Sequence, residues 1–583
     1  MSNKFKNLNW SNNSNGLQDN NSKGNKEHHL FFNLPSSRIW SVVIVFFALV
    51  LIIVARLLWL QVFDVEANKK AAKDTRTISY QIKPKRGTIY DRNGNVLAFS
   101  KEACSVYANP SEIENVNEAA LILSRELNET TDYINNLIDD SNKKFVYIKR
   151  HIENDVGDKI KEHNIKGIYL EEDTRREYPY GEIAGQIVGA CNIDGDGLCG
   201  LELYYDDVLR GSTGQTVRQQ GPSGMPMPGG TLQETAVVDG QDIMISIDIE
   251  IQQKLQEILA NNNSKMGSKS MNATIIDPRS GEIYASASLP YFNPANTESA
   301  QEGSTELKGV SSTYEPGSTF KTVAAMSILE DGVLTPESQI FCPNSLAADE
   351  YVVTDSHPRA SQTFTFRQII ARSSNVGISL ATEKLGFQKF YEKIGRYNFN
   401  KNTNIDFPGD ASGYLLDYKD WSKIQSYNVS FGQGITVTPM QILKFYSSII
   451  NNGVEKTPHF LMRYLQAEKD EEYEEYDVID NKAAIPVVID MLRSVVTEGT
   501  GNLAYIPHYG VAGKTGTGEI ADSNGKYLSG IYYNSFVGFL SQASIPMTCF
   551  VGAERVPSEQ SVTQVYKDIM TFVIERLRIV GQG

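Results

Sequence analysis

From position 39 to 55 the chain runs 17 residues without a charge, nearly all apolar, and after Arg56 the residues Leu57, Leu58, Trp59 and Leu60 extend the run. At about 1.5 Å of rise per residue, roughly 20 such residues are enough for a helix that crosses a bilayer, predicted here over 39–60. Arg56 can snorkel to the interface, and Trp40 and Trp59 bracket the segment as interfacial aromatics do. A cleaved signal peptide is the weaker reading, because the run exceeds an ordinary signal core and no Ala-x-Ala site follows it. Residues 1–38 are polar, rich in Asn, Ser and Lys, and without periodicity, which predicts a disordered tail.

Beyond the span the hydrophobic period shortens. Residues 86–94 predict a strand ending in the Asn93-Gly94 turn, with Val96, Leu97 and Ala98 continuing it. Up to about 235, short strands alternate with helices over about 115–127 and 153–163. The segment 221–230, GPSGMPMPGG, is the richest in breakers and predicts a linker that closes a first folded module over 61–235. A second module, 240–583, opens with an alternating strand at 243–247 and a helix carrying Ile251, Leu255, Ile258 and Leu259 on one face. Residues 273–276 and 282–286 flank a turn-rich connector and predict a hairpin. Helical patterns dominate 318–395 and recur around 438–451 and 483–497. Strands return at 508–518, 532–541 and 547–554, and a last helix fits 562–577. Early strands, a helical middle and late strands predict an α+β domain, with one sheet gathering both ends of the module. The dense acidic run at 468–477 predicts a solvated loop.

Composition narrows the class. A length of 583 residues implies two or more domains, and 41% hydrophobic residues imply globular ones. A net charge of -15 argues against a nucleic-acid partner, which would need a basic face. Five cysteines without a CxxC pair build neither a disulfide framework nor a standard zinc module. Charge does not orient the span: Lys23, Lys26 and Arg38 precede it, and Lys69, Lys70, Lys73 and Arg76 follow.

The candidate chemistry lies in three short motifs of the second module. Ser318-Thr-Phe-Lys321 follows Pro316-Gly317 at a predicted helix start, where a serine and a lysine three residues apart share a face and are expected to touch. A serine hydroxyl needs an adjacent base, and a lysine serves once burial and a second cation lower its pKa. Ser373-Ser374-Asn375 sits at a predicted turn between helices. Lys514-Thr515-Gly516-Thr517 lies in a strand, where an edge could offer backbone groups to an extended peptide. Singly the motifs say little: Ser141/Lys144 and Ser523/Lys526 repeat the first spacing, and a capping serine beside a solvated lysine explains either. All three in order, 55 and then 141 residues apart, are a strong joint signal.

This set resembles the active site of penicillin-binding proteins and serine β-lactamases. The 86–94 segment, Arg176-Glu-Tyr-Pro179, Gly200-Leu-Glu202 and the 211–214 region resemble the class B, monofunctional group. So do 277–282, Phe292-Asn-Pro294, Phe431-Gly-Gln-Gly434 and Thr438-Pro439. The likeness covers nearly everything from Arg56 onward. It implies a penicillin-binding transpeptidase domain on an elongated dimerisation or pedestal domain, and a D,D-transpeptidase that cross-links peptidoglycan stem peptides ending in D-Ala-D-Ala. By that resemblance Ser318 is the nucleophile, Lys321 its base and Ser373 a proton relay. Asn375 holds the substrate amide, and Lys514, Thr515, Gly516 and Thr517 form the carboxylate site. The backbone N–H groups of Ser318 and Thr517 form the oxyanion hole. It further implies inhibition by β-lactams, a polytopic membrane glycosyltransferase as partner, and a single-pass protein of the cell membrane. Its N-terminus is expected to be cytoplasmic and its catalytic domain extracytoplasmic. No cofactor is expected. The rival readings are a D,D-carboxypeptidase or β-lactamase-type hydrolase, against which the pedestal argues, and a non-catalytic β-lactam sensor or scaffold, against which the intact motifs argue.

Other patterns carry less. Asn192-x-Asp194-x-Asp196-Gly197 begins like a calcium loop, but its twelfth position is Leu203, so a Gly-rich turn is expected. Cys191 and Cys199 either pair or stay free. Cys342, Asp355 and His357 are zinc donors by type, but their spacing fits no standard site and no metal is expected.

Overall fold

The structure is a computed structural model and describes residues 36–62, 77–220, 226–466, 471–522, 525–557 and 560–583. The chain falls into two compact units, Met1–Ser79 with Val217–Leu232, and Tyr80–Thr216 with Gln233–Gly583.

In the first unit the apolar run is one helix, α1 (Ser36–Val62), within which Trp40–Leu60 has a mean hydropathy of 3.0 and none of its side chains buried. The helix begins at Ser36, three residues inside the segment expected to be disordered; residues 1–35 lie outside the described ones. A three-stranded sheet orders Thr77–Ile82, Gly214–Gln220 and Pro226–Thr235. The breaker-rich linker is thereby corrected from 226 onward, while 221–225 lie outside the described residues. Pro226 and Pro228 lie on the edge strand of this sheet, the position to which strand prolines are confined.

In the second unit the strand Ile89–Tyr90 pairs in parallel with Ile243–Ile245 and antiparallel with Val96–Ala108. One sheet therefore runs through both modules, and Ile89, Leu97, Ile243 and Phe320 share a single core. The motif segments of the first module meet on a buried carboxylate. Glu202, fully buried, accepts Arg86 Nε at 2.6 Å and Arg176 Nε at 2.7 Å, and Arg86 also reaches Asp206 at 2.7 Å. The 192–197 segment is the expected turn: Asn192 Oδ1 accepts the N–H groups of Asp194 and Asp196, each at 2.9 Å. Cys191 and Cys199 are both free thiols.

The second module is built on five antiparallel strands: β1 (Ser270–Ile276), β2 (Ile283–Ser288), β3 (Val511–Ala521), β4 (Tyr527–Leu540) and β5 (Thr548–Val556), in the order β2-β1-β5-β4-β3. One sheet gathers the early and the late strands of the module, as expected, and β3 is left at the edge. One face packs on the helices Ile249–Met266 and Thr563–Leu577 through Leu255, Leu259, Val565 and Ile569. The other carries the helical layer, whose centre, α2 (Lys321–Glu330), is buried on every side.

Two expectations fail in this layer. The 318–395 region is not helical throughout: Gln339–Cys342 pairs with Gln362–Thr365, and Ser345–Ala348 with Tyr351–Thr354. These strands have four residues each, too short for the alternation of Ile340, Cys342 and Phe364 inward to stand out. In the acidic run, Glu475–Asp477 is a strand paired with Val454–Lys456, its charge met by Lys456 on Glu475 and Lys482 on Asp477. Residues 467–470 lie outside the described ones.

Candidate active site

Ser318 stands on a 3-10 turn, Gly317–Phe320, that feeds directly into α2. Gly317 has φ +52°, and a Cβ there would lie 2.4 Å from the Thr517 carbonyl oxygen. Gly432 of the Phe431–Gly434 motif supports the turn from beneath, its carbonyl accepting Gly317 N–H at 2.9 Å. Tyr446 OH donates to the Thr319 carbonyl at 2.8 Å. The turn therefore has little freedom to move.

The second motif ends one helix and starts another. Ser374 N–H reaches the Ile369 carbonyl at 3.0 Å and Ser373 N–H the Ile370 carbonyl at 3.2 Å, the paired bonds of a Schellman C-cap. Ser373 occupies the left-handed position of that cap, φ +59°, where glycine is the favoured residue. Ser374 caps the next helix, α3 (Asn375–Leu385), by accepting Gly377 N–H at 3.0 Å.

Lys321 and Lys514, both fully buried, converge on this turn. Lys321 Nζ donates to the Ser373 carbonyl at 2.5 Å, to Ser373 Oγ at 3.1 Å and to Asn375 Oδ1 at 2.7 Å. Lys514 Nζ reaches Ser373 Oγ at 2.9 Å and the Thr515 carbonyl at 3.2 Å. Burial first, and the neighbouring Lys514 charge second, hold Lys321 well below the usual lysine range, with Asp355 opposing them. Burial alone pulls Lys514 down to about 7.

The third motif lies on β3. Thr515 Oγ1 shares a hydrogen bond of 2.7 Å with Thr500, while Thr517 is exposed. Gly516 is dictated by close approach: a Cβ there would meet Ser535 Oγ at 2.5 Å and the Pro316 carbonyl oxygen at 2.8 Å. The Gly317–Phe320 turn and β3 thus press backbone against backbone.

All eight predicted residues are in this neighbourhood, but one expected contact is not made. Among the described residues none hydrogen-bonds the Ser318 hydroxyl, because Lys321 directs its Nζ to acceptors of the second motif instead. Thr500, Tyr446 and Asp355 were not anticipated in these roles; they bear on the site from distant segments and carry no local signature. The zinc candidates do not converge. Cys342 is turned to the Ile340 carbonyl, His357 is exposed, and Asp355 is taken up by Ser374, Val376 and Arg359. Among the described residues there is no group of three metal-ligating side chains.

Comparison with known proteins identifies both modules. The penicillin binding protein transpeptidase domain matches residues 271–571, and the penicillin-binding protein dimerisation domain residues 81–245. Stage V sporulation protein D of Bacillus subtilis is 30% identical, over 87% of this chain and 79% of its own. Peptidoglycan D,D-transpeptidase FtsI of Escherichia coli is 28% identical, over 86% of this chain and 84% of its own. The crystal structure of penicillin binding protein 2X from Streptococcus thermophilus has the same fold, with a TM-score of 0.70 at 22% identity over 86% of this chain and 80% of that one. A serine, two buried lysines and an edge strand meet on a domain that the family model spans, and the chain belongs to the class B penicillin-binding proteins, transpeptidases that carry a dimerisation domain.

Proposed function

We propose that this chain is a peptidoglycan D,D-transpeptidase working through an ester on Ser318. The observation that carries the reading is the Ser373 hydroxyl, held by two buried lysines beside a serine hydroxyl left free. With burial and the Lys514 charge disfavouring its ammonium, Lys321 is the group that takes the Ser318 proton as Oγ attacks the carbonyl of the penultimate D-Ala. The N–H groups of Ser318 and Thr517 receive the oxyanion. The C–N bond then breaks, and the proton passes from Lys321 through Ser373 to the departing D-Ala amine. Lys514, Thr515 and Thr517 take the terminal carboxylate, Gly516 lets the nucleophile turn lie close, and Asn375 orients the scissile amide. An amine from a neighbouring strand attacks the ester and gives up its proton by the same route, and Ser318 leaves reprotonated. A β-lactam opens on Ser318 with its leaving nitrogen still tethered, so the site stays blocked.

The reading extends to placement. The 21 residues of Trp40–Leu60 anchor the protein once in the cell membrane, with a cytoplasmic N-terminus and an extracytoplasmic catalytic module. There it works beside a polytopic glycosyltransferase that supplies the glycan strands. The test is intact-mass spectrometry of the detergent-solubilised chain after benzylpenicillin. A lasting adduct, absent in Ser318→Ala, supports the reading. An adduct lost within seconds would mean a β-lactamase-type hydrolase, and none on folded protein a scaffold.

A further inference from the structure

Asp355 lies between the first two motifs, with 11% of its side chain exposed. Three donors converge on its carboxylate: the Ser374 hydroxyl, at 3.0 Å and 2.9 Å from its two oxygens, the Val376 N–H at 3.0 Å, and Arg359 Nε at 2.5 Å. Although burial works the other way, the Val376 N–H, Arg359 and Ser374 hold that carboxyl below the usual range, so it is ionised. Its neighbour Thr354 accepts Asn375 Nδ2 at 3.0 Å through the backbone carbonyl. The end of the strand Tyr351–Thr354 therefore grips the residues that follow Ser373, and Ser373 itself sits in a left-handed backbone conformation that is unfavourable for a non-glycine residue. Something must over-determine such a conformation for it to persist.

The charge matters as well. Two charges bear on the Lys321 ammonium: Lys514 opposes it and Asp355 favours it. Arg359 lies against Asp355 and offsets part of its field.

We propose that Asp355 is a positioning residue for acylation. Through Ser374 and the first turn of α3 it holds Ser373 in its left-handed pose, and its charge offsets that of Lys514 at Lys321. The inference rests on Ser318, Lys321 and Ser373 being the acylating set.

The test is the pH profile of the benzylpenicillin acylation rate, measured on the full chain in detergent. Asp355→Asn is expected to lower the rate at its optimum by about 10- to 100-fold, as a displaced second motif would. It should also move the acid limb to lower pH, because Lys321 loses the charge that favours its protonated form. Ser374→Ala breaks the same brace but keeps the charge, so its rate falls with the limb in place. Arg359→Gln unmasks the Asp355 charge and moves the limb upward, which keeps the test alive if Asp355→Asn does not fold. Wild-type rate and limb in folded Asp355→Asn overturn the proposal, as does an unmoved limb in Arg359→Gln. If the wild-type chain is not acylated at all, the failure lies with the parent reading.

Discussion

Lys514 Nζ donates to the Ser373 hydroxyl across 2.9 Å, joining residues 141 positions apart. The donor is a lysine that burial pulls down to about 7, so the contact changes charge near neutral pH. That property can be read in stability as well as in catalysis.

Below pH 7 Lys514 is protonated in both the folded and the unfolded chain, and the folded state bears the full desolvation penalty. As pH rises from about 7 toward the unfolded value of 10.5, the folded lysine sheds its proton first and the penalty is relieved. The wild type should therefore gain stability relative to Lys514→Met across that window, with a slope approaching about 1.4 kcal/mol per pH unit. Urea midpoints of both proteins between pH 6.5 and 9.5, roughly the span of one lysine titration, check this. A difference independent of pH would remove Lys514 from the titrating set.

Ser373 fills a position that the helix cap would give to glycine. Ser373→Gly and Ser373→Ala both remove the hydroxyl, so both should abolish acylation. They should differ in stability. Gly is expected to exceed Ala by about 1 kcal/mol, the reverse of their order inside a helix. Thermal melts of the two variants decide it, and Ala at least as stable as Gly would mean the turn relaxes out of its left-handed conformation.

Gly516→Ala inserts a methyl 2.8 Å from the Pro316 carbonyl oxygen, at the foot of the turn that carries Ser318. Overpacking of this kind costs about 1–3 kcal/mol. The larger effect should be on acylation, which is expected to fall at least about 100-fold as the turn shifts by a fraction of an ångström. Stopped-flow acylation beside a melting curve separates the two effects. Near-wild-type acylation would show that the turn and β3 move apart freely.

Glu202 holds Arg86 and Arg176 together where none of the three is accessible enough to be rescued by water. Glu202→Gln leaves the buried Arg176 without its counter-charge and Arg86 with Asp206 alone, and is expected to destabilise by about 3–5 kcal/mol. Because Glu202 lies in the first module, the folded fraction should still acylate at Ser318. Counting adducts per folded molecule tests this, and an acylation defect beyond the loss of folded protein would couple the pedestal to the chemistry.

Long-period features were legible in the chain and short or distant ones were not. The helix Trp40–Leu60, the β1–β2 hairpin and the ordered motifs each leave a pattern within their own residues. The hairpins at 339–365 do not, since their four-residue strands give one or two inward positions apiece. Pro226 and Pro228 read as loop residues because sequence does not reveal which strand will lie at an edge. The roles of Lys321 were legible only in part. Its three-residue offset from Ser318 gives a shared face, but the acceptors that claim its Nζ come from a segment more than 50 residues away, and no local rule selects them.

The edge position of β3 carries a liability as well as a use. A strand at the sheet edge that is to accept an extended peptide, as proposed above, keeps one row of backbone donors and acceptors unpaired, and the same row can template pairing with another chain. Closing it with a further strand would protect it and abolish the site. Colloidal behaviour and substrate access are thus set by one row of backbone groups. Whatever peptide occupies that row should also be what keeps the isolated catalytic module from associating with itself.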